Sequence, residues 1–135
     1  MGDAHRQLHR FVEERAGDTY RTMFYYTADD WETIYVRDDV ATDHLRDTVP
    51  EIIERTREAR ALVREEDYET LGETTATTEV HESGVIIHFP EEDHRGVLVS
   101  LDPDAARQLT GFVSHCVTIL HSPTASAFKA RPTPD

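Results

Sequence analysis

Hydrophobic and polar residues alternate most regularly between Gly84 and Leu101. Val85, Ile87 and Phe89 take every second position of one segment, with Ile86 and His88 between them, and Val97, Val99 and Leu101 do the same after the polar connection EEDHRG. A period of two predicts two strands, and a polar connection ending in glycine predicts a hairpin. Setting Phe89 opposite Val97 also sets Ile87 on Val99 and Val85 on Leu101. All six side chains then share one face, and burial of that face selects the register. Leu101-Asp102-Pro103 follows. Asp102 is a candidate cap for the next helix, and Pro103, which lacks an N–H, suits its first position. Ala105, Leu109, Phe112, Val113, Cys116 and Leu120 recur at three- and four-residue steps, the stripe of a helix lying across a sheet.

Toward the N-terminus, Leu8, Phe11 and Val12 predict a helix from Asp3 to Ala16, ended by Gly17. TYRTMFYY and WETIYVR are rich in β-branched and aromatic residues and flank TADD, which is turn chemistry. Closing the loop over Thr27 to Asp30 sets Tyr26 beside Trp31, Phe24 on Thr33, Thr22 on Tyr35 and Met23 on Ile34. Tyr20, Phe24, Tyr26, Trp31 and Tyr35 then fall on one face, which is either covered by a helix or open as a partner or ligand face. The stretch 42–66 is mostly helical in pattern. Pro50 disfavours helix at Val49, and Thr48 with Glu51 has capping-box spacing. A short turn of helix over 42–47 and a main helix from about Val49 are therefore expected. TTATTEVHE predicts a half-apolar strand that turns at Ser83-Gly84, with Val80 opposite Ile87, Thr78 opposite Phe89 and Glu79 opposite His88. Residues 1–121 form a single domain in this reading. The segment 122–135 has no period and is expected to be a disordered or loosely packed tail.

The resulting order is α-β-β-α-β-β-β-α, an α/β (α+β) fold around a five-stranded, mostly antiparallel sheet. Ile86 and Leu98 point away from the six-residue face, so the opposite face needs cover too. The central helix is available for it, with the first and third helices sharing the other side in a three-layer sandwich. Over residues 3–121 this element order resembles roadblock- and longin-type domains, a resemblance that implies a dimeric regulator or scaffold. YVRDDV (35–40), HFP (88–90) and GVLVSLDPDAA (96–106) are similar to a family of small uncharacterised proteins of halophilic archaea. That family carries no assigned activity, so the resemblance implies no catalytic residue.

Charge sharpens the setting. Acidic residues number 27 against 14 basic ones, the net charge is −13, Lys129 is the only lysine, and asparagine is absent. Such a surplus opposes compaction by self-repulsion. At molar salt the Debye length is roughly 3 Å and most of that penalty disappears. The composition therefore reads as adaptation to a salt-rich cytoplasm. Nucleic acid is excluded as a partner by the lack of an offsetting basic patch. MGDAHRQLHRF has no apolar signal core and no run reaches membrane-span length, so no membrane partner is expected.

Candidate chemistry is sparse. His5, His9 and Glu13 have the helical spacing of metal ligands, and His81, His88 and His94 straddle two hairpins. Asp29-Asp30, Asp38-Asp39 and Glu91-Glu92-Asp93 read as solvated turns. In Ser114-His115-Cys116 neighbouring helical residues diverge by about 100°, so His115 is badly placed as a base for Cys116. There is no phosphate loop, CxxC, HExxH or G-x-S-x-G. No catalytic, cofactor-binding or metal residue is assigned. The expectation is a non-enzymatic interaction or regulatory module. It pairs as a homodimer through its central helix or an exposed strand edge and meets an unknown protein partner. The alternatives are a small-ligand sensor with a pocket beside the aromatic hairpin and a metal-dependent hydrolase built on the histidines.

Overall fold

The element order read from the sequence is the one found in the computed structural model, which describes residues 2–63 and 66–121. Helix α1 (Asp3–Ala16) leads into β1 (Tyr20–Tyr26) and β2 (Trp31–Val36). Helix α2 (Asp43–Glu58) precedes β3 (Thr77–His81), β4 (Gly84–Glu91) and β5 (Arg95–Leu101), and α3 (Leu109–Leu120) closes the fold. All strand pairs are antiparallel, in the order β2-β1-β5-β4-β3. The tail expected at 122–135 lies outside the described residues.

The β4–β5 register is the one that hydrophobic matching selects, with Val85 on Leu101, Ile87 on Val99 and Phe89 on Val97. Each of these six side chains is at most 1% exposed. Leu8 and Val12 of α1 and Phe112 and Cys116 of α3 pack on them, forming the inner core. Burying each such side chain stabilises by about 2 kcal/mol, which explains why this face dominates the fold. On the outer face Val49 and Ile53 of α2 pack on Phe24, Tyr26 and Leu98, and Ile86 lies beside them. Gly17 ends α1 at φ 53°, and its N–H closes on the Glu13 carbonyl. That left-handed conformation is one glycine adopts without penalty.

Four local expectations are corrected. Helix α2 is continuous through Pro50, and its cap is Thr42, whose side chain accepts from the Leu45 N–H at 3.1 Å. Thr48 instead donates to the His44 carbonyl. An interior proline costs about 3 kcal/mol, but Leu45, Val49 and Ile53 form one stripe toward the sheet only if the helix crosses Pro50 unbroken. The helix also stops at Glu58 rather than running on toward residue 66. After β5, Pro103–Gln108 form a 3₁₀ segment and the α-helix begins at Leu109. The Asp102 carboxylate is drawn away from capping: it accepts from Arg21 and Arg37, and Arg37 also grips Asp39. The hydrogen bonds from Arg37 and Arg21 hold Asp102 below the usual carboxylate range. Finally, β3 pairs two residues tighter than expected, with Val80 opposite Val85, Glu79 opposite Ile86 and Thr78 opposite Ile87. A slip of two keeps every side chain on its face, so hydrophobic matching cannot tell the two pairings apart. The two-residue turn Glu82-Ser83 decides.

Candidate functional site

The five aromatic residues expected on one face are divided between two. An irregularity in the β1–β2 register sets Phe24 on Thr33 but Met23 on Tyr35, leaving Ile34 as an extra residue. A second, between Tyr20 and Thr22, interrupts the β1–β5 pairing. Each extra residue reverses the alternation beyond it. Tyr20 and Tyr35 therefore stack on the inner side with centroids 4.2 Å apart, while Phe24, Tyr26 and Trp31 lie on the outer side beneath α2. Tyr20, Phe24 and Tyr26 are buried, and Trp31 and Tyr35 are half-buried. The aromatic hairpin is core on both sides rather than an open platform.

The histidines are engaged separately. His5 lies 3.0 Å from Glu91 and against the Tyr25 ring, whereas His9, one turn on, meets the Tyr20 hydroxyl at 2.9 Å through Nδ1. His81 pairs with Glu79 at 3.0 Å in place of the expected Glu79–His88 contact. His94 sits in the β4–β5 turn at φ 59°. Among the described residues no group of three or more His, Cys, Asp or Glu side chains is placed to hold a metal ion. Cys116 is fully buried, and burial pushes its thiol up to about 12. At neutral pH it remains a thiol and packs as a small apolar side chain.

Tyr26 and His88 form a pair that sequence spacing did not reveal. The Tyr26 hydroxyl lies 2.8 Å from His88 Nε2. Burial pushes Tyr26 up to about 12 and lowers His88, so the neutral forms face each other and the phenol O–H can donate to the ring nitrogen. Tyr26 reaches His88 by crossing Gly96, the residue expected to end the β4–β5 turn. A Cβ there would stand 2.6 Å from the Tyr26 hydroxyl oxygen and 2.9 Å from the Phe89 carbonyl. Gly96 is glycine because an aromatic ring rests on it.

Beyond this pair the outer face opens. Helix α2 packs over β1 and β5, but Ile86, His88 and Pro90 of β4 are only half-buried, and β3 is exposed along most of its length. A cavity of about 630 Å³ lies between the second half of α2 and these strands, and a second of about 320 Å³ lies beside Phe24, Leu45 and Ser100. The large apolar residues that stand exposed among the described ones are Leu62, Val63, Tyr68, Leu71 and Val80. All five belong to the α2–β3 connection or to β3 itself. The opposite edge is different: β2 keeps Ile34, Tyr35 and Val36 half-buried against the two cores.

No helix among the described residues is long and apolar enough to cross a membrane. Residues 6–121 match one family model, described as Domain of unknown function (DUF7522). No curated protein and no solved structure matches the chain.

Proposed function

The chain belongs to this family of unknown function, and we propose that it is a non-enzymatic interaction module that pairs with a second copy of itself along β3. The observation that carries this reading is the clustering of the exposed apolar side chains at 62–80, running into an edge strand that has no partner on its outer side among the described residues. An edge strand offers unpaired N–H and C=O groups, and natural edges are commonly blunted by lysine, proline or a covering element. β3, TTEVH, has no lysine or proline and no cover among the described residues, and its one carboxylate, Glu79, is engaged by His81. A two-fold axis beside β3 would pair it antiparallel with its copy and bring Val80 of each chain onto the other, a self-complementary contact. The element order, through which the chain resembles roadblock- and longin-type regulators, agrees with this role. The acidic surface fits a salt-rich cytoplasm as the working solvent.

Sedimentation in molar KCl tests the reading. A dimer is expected at high micromolar concentration, and Val80→Arg should leave a monomer with stability within about 0.5 kcal/mol of the parent. Thr33→Arg on the β2 edge should leave the dimer intact. A parent chain that stays monomeric at high micromolar concentration overturns the proposal. So does a dimer that survives Val80→Arg but dissociates with Thr33→Arg.

A further inference from the structure

The larger outer-face cavity has the wrong charge for this chain. Over the whole sequence acids outnumber bases 27 to 14, yet among the described residues its wall holds two arginines, Arg55 and Arg60, and a single carboxylate, Glu79. That carboxylate is taken up by His81 at 3.0 Å. Neither arginine has a hydrogen bond or ion pair among the described residues. Five other arginines find acids: Arg6 meets Asp3, Arg21 and Arg37 meet Asp102, Arg46 meets Asp43 and Arg57 meets Glu54. Arg15 instead lies over the Phe11 ring and Arg95 reaches the Glu92 carbonyl, so what sets Arg55 and Arg60 apart is that they share one cavity wall. In so acidic a protein, two unpaired guanidinium groups beside one cavity are a feature to be explained.

The floor beneath them is apolar. Ile52, Ile86 and Leu98 line it, and His88 supplies a polar group from the sheet. A volume of about 630 Å³ lies within the usual range for small-molecule sites, which combine apolar walls with a few placed polar groups. Guanidinium forks match carboxylate and sulfonate geometry. We infer that this cavity binds a small organic anion, a carboxylate or sulfonate on an aliphatic or aromatic body, with its head on Arg55 and Arg60 and its body on Ile86 and Leu98. Thr77, Glu79 and His81 of β3 complete its wall from within one chain, so the site does not require a second copy of the chain.

The probe is 1-anilinonaphthalene-8-sulfonate, titrated by fluorescence in molar KCl, with N-phenyl-1-naphthylamine as its counterpart lacking the sulfonate. Saturable binding at one site per chain is expected, and decanoate should displace the probe where decanol at equal concentration does not. Arg55→Gln with Arg60→Gln should weaken the sulfonate probe about tenfold or more and leave the uncharged one unchanged. Both arginines are exposed, so the fold should survive the change. Ile86→Glu should remove both probes. Equal affinity for the two probes, or indifference of the sulfonate probe to the arginine pair, overturns the inference. If Val80→Arg abolishes probe binding while both arginines remain, the cavity belongs to the contact between copies, and the small-anion assignment falls.

Discussion

The two faces of the sheet are built from the same strands and finished differently. Along β4, Val85, Ile87 and Phe89 are at most 1% exposed on the inner face, while Ile86, His88 and Pro90, alternating with them, are only half-buried on the outer one. The cause is a matter of widths. Five strands about 4.8 Å apart make a sheet roughly 20 Å across, and a helix with its side chains is about 10 Å thick. Two helices, α1 and α3, bury the inner side of β1, β4 and β5 and leave only its β3 margin, at Val80, exposed. The single helix α2 covers about half of the outer one, over β1 and β5, and leaves β4 and β3 open. Among the described residues no second helix covers β3 and β4 on the outer face, and this open half adjoins the exposed β3 edge.

The largest effect that can break this comparison comes from two neighbouring residues. Ile87→Ala removes a fully buried side chain beneath two helices and should cost about 3 to 4 kcal/mol, in the range for such cavities. Ile86→Ala, one residue away on the half-covered face, should cost about 1 to 2 kcal/mol, because part of its surface is already in contact with water and no second helix packs on it among the described residues. Denaturant unfolding of both variants at one fixed molar salt concentration checks the pair. Equal losses would mean that the outer face is closed in solution, and the coverage argument would fail.

A smaller effect sharpens where coverage ends. Gly96→Ala puts a methyl group 2.6 Å from the Tyr26 hydroxyl oxygen and 2.8 Å from the ring carbon bearing it. Overpacking of this kind costs about 1 to 3 kcal/mol. Tyr26→Phe removes the nearer contact together with the hydrogen bond to His88. Combined with Gly96→Ala it should lose less than the two single losses added, since contacting residues are not independent. Strict additivity in unfolding experiments would show that Tyr26 does not rest on Gly96.

What the sequence made legible follows the same division. The inner face could be read in advance because strict alternation in β4 and β5 permits one register that buries all six side chains, and because the α1 and α3 stripes had nowhere else to go. The outer face could be read only in outline: Ile86 and Leu98 called for the cover that α2 supplies, but its details stayed hidden. The extra residue at Ile34 and the irregularity between Tyr20 and Thr22 are invisible in a hairpin where aromatic and apolar side chains occupy both faces, so Tyr35 and Tyr20 were expected beside Phe24 when they lie across the sheet from it. Pro50 reads locally as a helix boundary, and only the packing of Val49 and Ile53 carries the helix through it. Asp102 reads as a cap because the two arginines that claim it come from residues 21 and 37. The arginines of the cavity, without an acid partner among the described residues, are a finding about partners, and sequence spacing records no partners.

The smallest predicted effect asks how dry the open half is. Burial lowers His88 from the ordinary histidine value of about 6.5. Below that value the unfolded chain binds more protons at this residue than the folded one does. His88 therefore imposes no cost above about pH 6.5, and stability falls as the pH descends toward the folded value. His88→Gln keeps an acceptor for the Tyr26 hydroxyl and removes the titration. The variant should thus lose less stability than the parent between pH 7 and pH 5, measured by urea unfolding at both. Histidines that titrate alike in the two proteins cancel in that difference. The sign separates two descriptions of the outer face. If the two proteins lose the same amount, water reaches His88 freely and the cavity is an open surface; a shallower loss in the variant means that α2 and β4 already exclude water there without a ligand.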